Sequence, residues 1–135
     1  MLLVFEDELE NLQKELKGNV IRTANSRQSP QNPLRPGKEI TYDPTGRYVL
    51  PNSRTGISLA ASIRQLTRIM APGIKKWLLA VDRNSVMPPG LKLQPDSPHH
   101  WSVVVTERMS CADYENRIQE LIESWKLLGK YVRYE

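Results

Sequence analysis

The residues best suited to chemistry crowd into one stretch, Asp82 to Thr106, which reads DRNSVMPPGLKLQPDSPHHWSVVVT. Within it a Pro-Pro-Gly turn precedes Leu91 to Leu93, and a second polar turn holding Asp96 precedes both of the chain's histidines, His99 and His100, and Trp101. A nuclease would pair His99 or His100 with a nearby acid such as Asp96 and a basic phosphate clamp. It would also need a second well-placed acid or base that this stretch does not supply. Two further candidates lie upstream: Arg22, inside a short apolar run, and Ser58, in Gly56-Ile57-Ser58. Other chemistries lack parts. Gly56 to Ala60 has no second glycine for a hydrolase nucleophile elbow. The seven scattered glycines supply neither a P-loop nor a dinucleotide fingerprint. Cys111 is the only cysteine, which rules out an internal disulfide, and with two adjacent histidines no structural zinc site is expected.

Such groups need fixed elements beneath them. Phe5, Leu9, Leu12 and Leu16 recur at helical spacing with Gly18 as a stop, which predicts a helix over residues 2–17. Val20 to Ala24 is an apolar, β-branched run and predicts a strand carrying Arg22. Residues 25–46 hold four prolines and two glycines without periodicity, so an extended loop is expected. Tyr48 to Leu50 is a brief strand candidate, followed by a turn over Asn52 to Gly56.

Leu59, Ile63, Leu66 and Met70 repeat at helical intervals ahead of Pro72-Gly73, and this predicts a second helix with Ser58 at or near its start. Trp77 to Val81, Leu91 to Leu93 and His100 to Thr106 read as strands. Alternation along the last of these sets His100, Ser102 and Thr106 on one face and Trp101, Val103 and Val105 toward the core. Tyr114, Ile118, Leu121, Ile122, Trp125 and Leu128 form the stripe of a last helix, capped by Ser110 and ended by Gly129, with Tyr131 to Tyr134 as a final strand. A helix first, strands interspersed and a helix late argue for an α+β domain with a mixed sheet.

The whole chain, 1–135, is expected to be a single domain, with an N-terminal helix over 1–18 and a long Pro-rich loop over 25–46. Hydrophobic residues make up 39% and charged residues 25%, ordinary globular usage that argues against disorder throughout. The net charge of +4 favours encounter with an anionic cofactor, an acidic partner or nucleic acid. The 19 basic residues are dispersed, so nucleic acid is the weaker expectation. The MLLVFEDELE start lacks the basic region and length of a signal peptide, and no segment approaches the roughly 20 apolar residues of a membrane helix. A soluble, cytoplasmic protein in a reducing compartment, without membrane attachment, is expected.

An ordered set of short motifs adds to this reading. Arg22 lies on a strand; Gly46, Arg47 and Tyr48 are followed by Pro51; Gly56 and Ser58 open the next element. Then come Pro88 to Asp96 in the pattern Pro-x-Gly-Leu-x-Leu-x-x-Asp, His100-Trp101-Ser102, and Met109 ahead of the helix bearing Tyr114. Over about residues 20–128 the chain resembles the toxic effectors of type VI secretion whose fold is similar to ADP-ribosyltransferases. The resemblance implies a split mixed or antiparallel sheet flanked by helices, NAD as substrate, and a toxin delivered into a target-cell cytoplasm and neutralised by a cognate immunity protein. It also implies roles. Arg22 would grip phosphate or ribose, Ser58 would bond ribose or hold the cleft, and His100 would bind ribose or nicotinamide. Tyr48 or Trp77 would stack on a flat ring.

The sequence departs from the transferase pattern in one respect. No Glu-x-Glu pair occurs late in the chain; Glu107 falls on the Trp101 face by alternation, and Asp96 is the other carboxylate to consider. Each residue also has a plainer reading. Arg22 would be an ion-pair partner, Ser58 a helix cap, Asp96 a turn former, His99 a solvated side chain, His100 a partner for loop backbone, and Tyr48 and Trp77 core aromatics. The competing function is a non-catalytic basic module that binds protein or nucleic acid.

Overall fold

A computed structural model of the chain describes residues 2–3, 9–24 and 39–134. Nine strands and three helices follow in the order β1 (Leu2–Leu3), α1 (Leu9–Gly18), β2 (Asn19–Ala24), β3 (Tyr48–Val49), β4 (Ile57–Ala60), α2 (Ile63–Ile69), β5 (Lys75–Asp82), β6 (Leu91–Ser97), β7 (His100–Val105), β8 (Met109–Ser110), α3 (Cys111–Glu123) and β9 (Lys126–Tyr134) among the described residues. Seven strands form one sheet in the order β1-β9-β5-β2-β4-β7-β6, and β3 pairs with β8 in a separate two-stranded ribbon. Every ladder is antiparallel. The class is α+β as the element order implied. The sheet is antiparallel in its ladders, with one isolated parallel bridge, Pro72 to Arg133.

Period-2 alternation divides the core into two layers. Val20, Ala24, Ile57, Leu59, Leu79, Val81, Val103 and Val105 point to one face and pack with Tyr114, Ile118, Leu121 and Ile122 of α3. Ile21, Ala60 and Leu78 point to the other and pack with Leu12 and Leu16 of α1 and Leu66 of α2. Each large apolar side chain so buried contributes about 1.5–3 kcal/mol. Trp101 packs against the first cluster, as alternation along β7 requires.

Several boundaries differ from those read along the sequence. Leu2–Leu3 is a strand paired with β9, not the start of a helix, and α1 begins at Leu9; the rest of the expected 2–17 helix, residues 4–8, lies outside the described residues. Residues 25–38 of the expected loop also lie outside them. Residues 39–50 hold more regularity than expected: Tyr42 bridges Val49, and Leu50 N–H donates to Thr41 O at 2.8 Å.

Ser58 does not open a helix. It lies in β4, because Ile57 and Leu59 bury one face of a strand while Ala60 buries the other. The helix starts at Ile63, where Ser62 Oγ accepts from the Gln65 N–H at 3.1 Å as the N-cap. Ser110 caps α3 as expected, accepting from the Asp113 N–H at 3.1 Å, but α3 ends at Glu123. Trp125 still fills the core from the turn, while Leu128 and Gly129 belong to β9, at an irregularity opposite Leu78 and Leu79.

Candidate functional site

Residues Leu91 to Val105 fold into a hairpin, β6–β7, whose outer strand β6 is an edge of the sheet. Pro95 is tolerated there because an edge strand need not donate every N–H to a neighbour. The register slips between Pro95, opposite Trp101, and Ser97, opposite His100, which leaves Asp96 as an extra residue in a bulge. Bulges re-aim side chains. Here the carboxylate of Asp96 turns onto the face that carries His100 and Ser102. The imidazole Nδ1 of His100 lies 2.8 Å from Asp96 Oδ2, and the Ser102 hydroxyl donates to the same oxygen. Gln94 Nε2 approaches Asp96 Oδ1 at 3.4 Å while donating to Ser53 O at 2.7 Å.

This arrangement fixes the roles. An ionised carboxylate only accepts, so Nδ1 of His100 carries a proton, and in the neutral ring Nε2 presents a lone pair. Nε2 has no hydrogen-bond partner among the described residues, and the side chains of His100 and Asp96 remain 30% and 26% exposed. His100 is thus an imidazole oriented by a carboxylate, with Nε2 directed away from that anchor and able to accept a proton. Ser102, 2% exposed, bonds the carboxylate rather than Nε2. It anchors Asp96 and is not a nucleophile of the serine-hydrolase kind, in which the hydroxyl meets the imidazole.

Ser58 stands opposite Ser102 in the β4–β7 register, and Ala60 stands opposite His100. Opposed side chains share a face, so the Ser58 hydroxyl belongs with Asp96, His100 and Ser102. It is half-buried and makes no hydrogen bond among the described residues. His99, expected to be solvated, is half-buried instead: its Nδ1 lies 2.8 Å from Ser62 Oγ, and its carbonyl accepts from the Ala61 N–H at 2.9 Å. It fastens the hairpin to the cap of α2.

Arg22 lies on the opposite face, in register with Leu79 and on the side of Val20 and Ala24. Its Nη1 donates to Glu39 Oε2 at 2.7 Å and to Ser58 O at 3.1 Å, and Nη2 donates to Glu39 Oε1 at 3.3 Å. Glu39 Oε2 also accepts from the Ser58 N–H at 2.9 Å. The pair is sealed, with side-chain exposures of 10% for Arg22 and 1% for Glu39. Tyr114 is buried beside it, and burial, then the Tyr42 and Glu39 charges, push its phenol well above the ordinary value in spite of Arg22. The sequence reading missed Glu39; its one signal was its place as one of only two acids between residues 25 and 46.

The aromatic candidates stand apart from His100. Trp77 pairs with Ala24 at the far end of β5, with Lys130 Nζ 5.6 Å from its ring centroid. From β5 to β7 there are three strand spacings, about 14 Å. Tyr48 belongs to the β3–β8 ribbon, under the Arg108 guanidinium at 3.7 Å. Among the described residues no group of three or more His, Cys, Asp or Glu side chains could hold a metal ion, and no helix is long and apolar enough to cross a membrane.

No family model, curated protein or solved structure matches this chain. The reading of its function therefore rests on the two polar constellations themselves.

Proposed function

We propose that this protein is an intracellularly acting toxin that consumes NAD in the manner of ADP-ribosyltransferases and is held in check by a cognate immunity protein. The observation that carries the reading is the Asp96–His100 pair, with Nε2 of His100 unengaged among the described residues, on the face that also carries the Ser58 hydroxyl. It supplies the carboxylate for which the missing Glu-x-Glu leaves a need.

The chemistry runs as follows. The bond between nicotinamide nitrogen and ribose breaks, its electron pair leaves with nicotinamide, and the ribose carbon becomes oxocarbenium-like. In this reading the Asp96 carboxylate supplies the negative charge that steadies the cation, and Ser58 offers a hydroxyl to the ribose. Water or an acceptor side chain then adds to the ribose carbon, and Nε2 of His100 takes the proton it loses. Trp77 and Tyr48, on other parts of the molecule, play no part in this scheme, and Arg22 acts on it only through the Ser58 peptide.

A second reading, a basic module that binds protein or nucleic acid without catalysis, draws on Lys130 over Trp77 and Arg108 over Tyr48, two cation–aromatic pairs away from His100. One experiment separates the two. The purified protein is incubated with NAD, with and without a bacterial lysate as a source of acceptors, and free nicotinamide is measured by chromatography. Growth is followed in parallel during induced expression. Nicotinamide release that is lost in folded Asp96→Asn and His100→Ala, together with growth arrest that they relieve, supports the toxin. No release and no arrest by the wild type overturns it in favour of the binding module.

A further inference from the structure

β2 and β4 begin as neighbours and then part. Their ladder contains a single register pair, Ile21 with Ala60. Continued in the antiparallel sense it would bring Thr23 opposite Ser58, two residues further along. There the Ser58 N–H and C=O meet Glu39 and Arg22 instead. Alternation in a ladder explains the direction: the peptide groups of Ser58 point away from β7, so Ser58 and Ser102 form a non-hydrogen-bonded pair, whose side chains come closest. A carboxylate that accepts from an N–H and a guanidinium that donates to the C=O of the same residue reproduce, with side chains, the edge of a missing strand. Left unfilled, that gap would strand one donor and one acceptor in a largely buried place.

We infer that Glu39, together with Arg22, is a positioning residue for Ser58. From one face of the sheet the pair fixes the peptide whose hydroxyl stands opposite Ser102 on the other, and Ser102 in turn holds Asp96 against His100. The inference rests on the proposed role of that second face for its functional meaning, and on geometry alone for the coupling. The charges suit the task. A guanidinium presents its donors in a rigid fork, and a doubly engaged carboxylate resists displacement. Both side chains bond each other and the Ser58 peptide, on the face of the sheet opposite Asp96 and His100. Their influence passes through the β4 backbone.

The test is made on the purified full chain by nuclear magnetic resonance, comparing wild type, Glu39→Gln, Glu39→Ala and the charge-balanced double variant Arg22→Gln/Glu39→Gln. Two signals are followed: hydrogen exchange of the Ser58 amide, and the titration of the His100 ring, assigned with His100→Asn. The clamp predicts that Glu39→Ala speeds exchange at Ser58 by about tenfold and moves the His100 titration across the sheet. Glu39→Gln, whose amide oxygen still accepts from the Ser58 N–H, returns both toward wild type. If Glu39→Ala does not fold, the double variant serves, because its two amides keep one donor and one acceptor toward Ser58 without burying a net charge.

A folded Glu39→Ala in which the His100 titration is unchanged overturns the inference and leaves the pair as an ordinary core ion pair. In the double variant, loss of Ser58 protection without any response at His100 does the same. Where NAD turnover is measurable, Glu39→Ala should lower kcat and leave KM unchanged. Absence of turnover in the wild type counts against the proposed reaction, while the resonance measurements still decide the clamp.

Discussion

On one face of the β2–β4–β7 region Arg22 and Glu39 are sealed at 10% and 1% exposure, whereas on the other Asp96 and His100 keep 26% and 30%. Both are oppositely charged pairs when His100 is protonated, and both meet β4 or its neighbour. The difference lies in what surrounds them. The first pair is enclosed by the α3 layer of the core and every strong acceptor is used on protein. The second sits where the hairpin reaches the sheet edge beyond α2, with one imidazole nitrogen free of partners among the described residues. Sealing makes a pair structural, because an uncompensated buried charge is costly to leave behind. Exposure with a directed lone pair makes a pair available for chemistry. Two cation–carboxylate pairs therefore support opposite assignments, and the solvent boundary decides between them.

The sharpest way to break that contrast is to remove one partner on each side. Glu39→Ala should lower stability by about 3–5 kcal/mol, the usual cost of leaving a buried partner unpaired, as read from urea unfolding. His100→Ala should cost no more than about 0.5–1 kcal/mol yet abolish nicotinamide release by about a hundredfold or more. Equal destabilisation by the two changes would remove the distinction between the faces.

Gly56 sharpens the comparison from within β4's approach. A Cβ there would stand 2.0 Å from the carbonyl oxygen of Val103. Gly56→Ala should therefore push β4 from β7 and cost about 1–3 kcal/mol or more, with the loss of nicotinamide release that displacement of Ser58 brings. Thermal unfolding and the release assay together check it.

Alkaline pH probes the sealed face through Tyr114. Burial raises the Tyr114 phenol above its ordinary 10.0 and favours the protonated form in the folded protein. That stabilising contribution is fully present below pH 10.0 and is lost as pH rises from there toward the folded value. Tyr114→Phe should flatten the alkaline fall in melting temperature and leave the neutral value nearly unchanged.

The smallest effect belongs to Asp43, in the exposed turn before β3. Partial desolvation pulls its carboxyl up, but donation from the Thr45 hydroxyl and from the Tyr48, Arg47 and Gly46 N–H groups outweighs this, and the carboxyl titrates below its ordinary 3.8. Its contribution is present above pH 3.8 and lost as pH falls through the lower folded value. Asp43→Asn should remove that acid dependence, measured by circular dichroism during acid titration, with no change at His100.

Much of this molecule was legible because periodicity reports burial. The Tyr114, Ile118, Leu121 and Ile122 stripe, the Ser110 cap and the common face of His100 and Ser102 all follow from local spacing. Errors fell where two periods competed. Leu59, Ile63, Leu66 and Met70 fit a helix, yet the sheet claimed Ile57 to Ala60 and moved the helix start to Ser62. At the other end, Trp125 and Leu128 continued a helical stripe, but β5 offered a strand partner and β9 took Leu128.

By itself the sequence determined the α+β class, the strands that start at Leu91 and His100, and the kinds of chemistry the side chains of Asp96 and His100 allow, because each depends on neighbours in the chain. Tertiary structure alone decided that Arg22 and Ser58 share a peptide contact yet face opposite ways, that a bulge aims Asp96 at His100, and that Glu39 fills the parting of β2 and β4. These depend on register between strands distant in sequence. A shift of one residue in that register would exchange the faces of every side chain involved.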